Sequence, residues 1–137
     1  MKKLLSALLI TLVGVSVQAQ NKPLACQEIA AGGLNWENGR WVTAKFITDK
    51  FILVLEGKTL TKESIGKALG VGPVSSSEIS CSNPFGGSLI NCNSYATQLL
   101  FDTKALKGGI SGLLGSTLAD GSYKDSIYVK AFSCQPF

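Results

Sequence analysis

CSNPFGGSLINC, residues Cys81 to Cys92, sets two cysteines symmetrically about a Gly-Gly pair. With Gly86-Gly87 as a two-residue hairpin loop, Phe85 faces Ser88, and counting outward brings Cys81 opposite Cys92. Directly opposed residues of antiparallel strands lie about 4.5–5.5 Å apart at Cα, within disulfide range. The stretch therefore reads as a hairpin stapled by its own disulfide. In this register the cysteines fall on a hydrogen-bonded pair, the wider of the two spacings. Pro84 also lacks a ladder donor, so an irregular or edge hairpin is expected. A longer loop over Asn83–Ser88 brings the same two cysteines together.

The chain has four cysteines and no histidine in 137 residues. In an exported chain an even count implies two disulfides. With Cys81 and Cys92 joined, Cys26 and Cys134 pair by elimination. They stand near the two ends of the chain, so their bond ties a first strand to a last one. A meander tied in this way closes on itself and hides both sheet edges.

The remaining turn signals support this reading. Asn38-Gly39 and Asp120-Gly121 are further two-residue turns whose residues tolerate positive φ. Between the turns lie GRWVTAKFIT, DKFILVLE, TQLLFD and DSIYVKAF, rich in Val, Ile, Thr and aromatics. The Asn38-Gly39 turn sets Glu37 opposite Arg40 and Trp36 opposite Trp41 in a close cross-strand pair, which serves packing. The Asp120-Gly121 turn sets residues from about Lys107 to Leu118 against Tyr123 to Cys134. Gly108, Gly109, Gly112 and Gly115 on that arm predict bulges or strong curvature. One helix is expected over 61–69, with Thr61 as N-cap, Ile65, Ala68 and Leu69 on one face, and Gly70 at its end. Phe46, Leu53, Leu99, Phe101 and Val129 are expected to fill the interior. The fold class is mostly β: a single antiparallel meander forming a small closed or partly open up-and-down barrel, with one short helix and two disulfides.

The first residues address the compartment. Lys2 and Lys3 precede the uncharged run LLSALLITLVGVSV, and Val17-Gln18-Ala19 gives small residues at a cleavage position. Residues 1–19 read as a secretory signal peptide and 20–137 as one β domain, exported to the periplasm or beyond. Leu24-Ala25-Cys26 imitates the end of a lipobox. Pro23 and the polar residues before it break that pattern, so Cys26 reads as structural and the mature chain as soluble, without a membrane span.

Composition excludes several function classes. Lys2 and Lys3 account for part of the formal charge of +4, and Arg40 is the sole arginine. A nucleic-acid partner does not fit. Without histidine there is no Ser-His-Asp or Cys-His arrangement and no histidine metal site. The acids, among them Glu28, Glu56 and Asp102, are scattered and read as solvated surface. No cofactor motif is present, and a non-catalytic role is expected.

CQEIAAGGLNWENGRWV (26–42) and KDSIYVKAFSCQPF (124–137) resemble a family of small exported bacterial β-proteins that carries no assigned activity. The architecture is loosely similar to that of the periplasmic C-type lysozyme inhibitors, small disulfide-tied β-barrels. Their inhibitory loop carries Ser-Gly followed by Arg and Tyr. Gly86-Gly87-Ser88 is not that motif, and no inhibitory residue is carried over. Two functions remain. One is an inhibitor-like or envelope-accessory module that binds a protein partner through loops at one barrel end, chiefly Pro84, Phe85, Gly86, Gly87 and Ser88, with Asp102–Lys107 and Val71–Ser77 beside them. The other is a barrel that takes a small molecule or lipid in its interior.

Overall fold

Strand β1 (Lys22–Glu37) and strand β2 (Arg40–Lys45) form the first hairpin of the computed structural model, which describes residues 21–71, 78–113 and 126–137. Asn38 and Gly39 adopt φ of 51° and 78°, the left-handed pair that a type I′ turn requires. Glu37 faces Arg40 and Trp36 faces Trp41, with the indoles edge to face at 5.1 Å between centroids. Strand β3 (Lys50–Glu56) resumes the register of β2 against the first half of β1, so that Gln27 faces Lys50 and Lys22 faces Leu55. Residues 46–49 step out of an otherwise continuous ladder.

Gly57 and Lys58 turn the chain into the two-residue β4 (Thr59–Leu60) and then into helix α1 (Lys62–Leu69). Thr61 is the N-cap, yet its side chain caps no helical N–H. Its hydroxyl donates to Ser64 Oγ at 3.0 Å. Ser64 Oγ in turn donates to the Thr61 carbonyl and accepts the Val54 N–H at 3.1 Å. Ser64 thus pins the helix start to β3. Gly70 ends the helix in the left-handed conformation at φ 69°. Ile65 and Leu69 enter the core, Ala68 packs against it, and the Glu63–Lys67 pair lies on the outer face.

Strands β5 (Ser80–Ser82), β6 (Leu89–Ser94), β7 (Thr97–Asp102), β8 (Lys107–Gly112) and β9 (Ser126–Pro136) continue the meander. The sheet order is β4-β3-β1-β9-β8-β7-β6-β5, with β2 also on β1, and every pairing is antiparallel. First and last strands therefore pair, and Cys26 stands opposite Cys134 across the seam as a disulfide. The result is a nearly closed barrel whose open side lies between β4 and β5. Helix α1 packs on β3 and β7, and Leu60 and Ile79 join the same core from that side. Leu53, Leu99, Phe101, Ile110 and Phe132 fill the interior, with Phe101 and Phe132 stacked at 5.9 Å.

Three expectations need correction, and one alternative is decided. Cys81 and Cys92 are opposed and bonded across the longer of the two loops the sequence offered, residues 83–88, rather than across a two-glycine turn. The ladder then closes at Ser82 and Asn91, and the cysteines fall on the narrow, non-hydrogen-bonded spacing, with Cα atoms 4.1 Å apart. The Asp120-Gly121 turn lies outside the described residues. The arms on either side of it pair Lys107 with Ser133, one residue away from the expected register. That parity turns Val129 outward, 62% exposed, and leaves Phe46 half-buried against Tyr128 rather than in the core. Finally, of the bulges or strong curvature expected from the glycines of this arm, the described ladder has no bulge at Gly108, Gly109 or Gly112, though the sheet curves into a nearly closed barrel; Gly115 lies outside the described residues, and a bulge lies in β1, between Glu28 and Ala30. Gly108 and Gly112 instead make room for rings. A Cβ on Gly108 would stand 2.4 Å from the Phe132 ring, and one on Gly112 would stand 2.4 Å from the Tyr128 ring.

Candidate functional site

Strand directions place the 83–88 loop, the 103–106 loop and both described ends of the chain at one end of the barrel. Residues 83–87 are exposed, and Phe85 at the tip is 81% exposed. Several bonds hold this short loop in shape. The Gly86 N–H donates to the Asn83 carbonyl at 3.2 Å, a turn with Pro84 in the position its fixed φ favours. Asn83 Nδ2 donates to the Gly87 carbonyl at 3.1 Å, and Cys81–Cys92 clamps the strands just below.

Ser88 joins the two neighbouring loops. Its carbonyl accepts both the Thr103 N–H at 2.9 Å and the Thr103 hydroxyl at 3.1 Å. Asp102 folds the second loop: its Oδ1 accepts the Lys104 N–H at 2.8 Å and the Ala105 N–H at 3.1 Å. The Ala105 N–H, the Ser88 side chain and the Lys104 N–H together hold the Asp102 carboxyl below its ordinary pKa of 3.8. A carboxyl with a depressed folded pKa stabilises the fold above its unfolded pKa, and that contribution is lost as pH falls through the lower folded value. The loop is therefore expected to be ordered at neutral pH and to loosen below about pH 4, as Asp102 takes up its proton. Protection factors of the Lys104 and Ala105 amides, exchange rates referred to the intrinsic rate at each pH, check this. They should fall on acidification, Asp102→Asn should remove that fall, and protection unchanged from neutral to acid pH would contradict it.

Away from this end, the chain excursion at 46–49 opens a cleft into the barrel. Glu28 organises it. The Glu28 N–H bonds the Asp49 carbonyl at 2.9 Å, while the Asp49 N–H turns to Glu28 Oε2, also at 2.9 Å. Oε1 accepts Lys130 Nζ at 2.9 Å, and Lys130 lies over the Tyr128 ring at 5.7 Å. The Glu28 side chain is 2% exposed and that of Lys130 is 20% exposed. The expectation of a solvated Glu28 is thus corrected: it is an interior acid neutralised across the seam. The cleft holds about 690 Å³, with Phe46, Phe51, Tyr128, Leu69 and Ile110 on its walls and Lys45, Asp49, Lys50 and Lys67 at its edge.

Of the loops named from sequence, Pro84–Ser88 and Asp102–Lys107 come together; Val71–Ser77 lies outside the described residues after Val71. Glu28 and Lys130 were missed as a site. Their pairing spans 102 positions, and the local signals were charged residues on the strand face of Leu24 and Cys26 in β1 and on that of Tyr128 and Phe132 in β9. Among the described residues no three His, Cys, Asp or Glu side chains gather as a metal site, and no helix is long and apolar enough to cross a membrane. No protein-family model, curated protein or solved structure matches the chain. Two disulfides suit an oxidising, exported environment.

Proposed function

We infer that this is a small exported binding protein without catalytic activity, which engages a protein partner through the Pro84–Ser88 loop. The observation that carries the reading is Phe85, a large apolar side chain left 81% exposed at the tip of a disulfide-clamped loop. Burying such a ring contributes about 1.5–3 kcal/mol to an interface. Aromatic residues entering a partner's pocket are characteristic interface anchors. A loop already held by Cys81–Cys92, Asn83 and Thr103 loses little further freedom on binding, so more of that gain survives as affinity. Ser88 couples the loop to the turn after Asp102, which widens the contact surface beyond one residue.

The test places a photo-crosslinking phenylalanine analogue at position 85 in the producing cells, with the same analogue at the exposed Val129 on the outer wall as control. One discrete protein adduct is expected from position 85. It should be competed away by excess wild-type protein and not by Phe85→Ala, whose thermal midpoint should match wild type. Absence of an adduct, or equal competition by Phe85→Ala, would sink the assignment.

A further inference from the structure

We propose that the cleft at Glu28 and Lys130 is a second binding site, for a small carboxylate with an apolar body. The site is independent of the Phe85 loop. It begins where the β1 ladder is disturbed on both sides: residues 46–49 leave it on one side, and the bulge between Glu28 and Ala30 displaces it on the other. The wall opens there, and the cleft of about 690 Å³ falls within the range of small-molecule sites.

Charge decides the class of ligand. The cleft is lined by four lysines and two carboxylates. The Glu28 side chain is shielded, and each of its oxygens is already engaged, by Lys130 and by the Asp49 N–H. Lys67 is held by Glu63 on the outer face of the helix. With the Glu28–Lys130 charges cancelling each other, the charge left facing the cleft is that of Lys45 and Lys50 against the exposed carboxylate of Asp49, a positive balance. A lysine ammonium has three donors, and Lys130 commits one of them to Glu28. Phe46, Tyr128 and Ile110 then offer apolar surface beside the charge, so a carboxylate carrying an alkyl or aromatic body matches both halves of the site. A cationic ligand would meet lysines at the mouth and find the one interior acid already paired.

Octanoate is the probe, with octan-1-ol and octylamine as neutral and cationic controls of equal chain length. Titration is followed by amide chemical shifts of the full mature protein. Saturable shifts at Glu28, Tyr128 and Lys130 are expected with octanoate, with affinity at least about tenfold above either control, the worth of one charge-assisted contact. Lys45→Gln/Lys50→Gln changes two exposed side chains, keeps the fold, and should weaken octanoate binding while leaving octan-1-ol unaffected. Phe85→Ala should leave octanoate binding unchanged, so failure here is separable from failure of the loop assignment. The proposal is overturned if octanoate produces no saturable shift, if the shifts map to the outer wall around Leu100 and Val129, or if the three compounds bind equally.

Discussion

Removing the seam disulfide, as Cys26→Ala/Cys134→Ala, is expected to cost about 4–5 kcal/mol of folding stability by the loop-entropy estimate. The bond joins residues 108 apart in sequence, whereas Cys81–Cys92 joins residues 11 apart, for which the same estimate gives about 3 kcal/mol. The effect acts chiefly on the unfolded chain. In the folded variant β1 and β9 still pair from Leu24 with Pro136 to Asn35 with Ser126, so the native seam keeps its hydrogen bonds. What is lost is the constraint that holds the two ends of the unfolded ensemble together. Domains of this size have a total stability of about 5–15 kcal/mol, so the loss is about a third or more of the whole and the urea midpoint of the variant should fall far below that of wild type. Urea midpoints of the two double-alanine proteins make the comparison. If the seam variant lost no more than Cys81→Ala/Cys92→Ala, the account of the seam as the main covalent brace would be wrong.

What was legible in the sequence depended on how locally each feature is determined. Asn38-Gly39 gave both turn and register, because few dihedral pairs suit those residues and the strands must follow. The same arithmetic at Gly86-Gly87 found the right cysteine partners but left open whether the two-glycine turn or the longer 83–88 loop joins them. A turn starting at Asn83, with Pro84 behind it, closes the ladder three residues earlier on each arm without changing which residues face each other. On β9 the parity was misread. Val129 is the more apolar residue, yet Tyr128, Lys130 and Phe132 face inward, because the glycines of β8 leave space for both rings and Glu28 supplies a partner for the lysine. A pattern that assigns apolar residues to the inside cannot place a strand whose inner face carries a lysine. Nor does any local signal mark the β1 bulge, which follows Glu28 and shifts the pairing of the rest of β1 with β9; Glu28 itself points inward because it alternates with the buried Leu24 and Cys26.

Glu28 is the residue whose replacement should show most clearly how that inner face is held. Glu28→Gln keeps an oxygen for the Asp49 N–H and nearly the same volume, but leaves Lys130 without its counter-charge. Breaking a buried ion pair on one side costs about 3–5 kcal/mol. Lys130 is 20% exposed and turns partly to water, so the lower end of that range is expected for Glu28→Gln. Glu28→Leu also strips the acceptor from the Asp49 N–H, adding about 1 kcal/mol, since that amide sits beside an exposed stretch that water reaches. Lys130→Met should cost more than Glu28→Gln, because it leaves the charge on the side chain that is only 2% exposed. Glu28→Gln/Lys130→Met removes both charges and should cost less than the sum of the two single changes by about 1–3 kcal/mol, the coupling expected of groups in direct contact. Denaturant unfolding of the four proteins closes the cycle. Additive losses would mean that the two side chains are held independently and that charge pairing across the seam does not set the inward parity of β9.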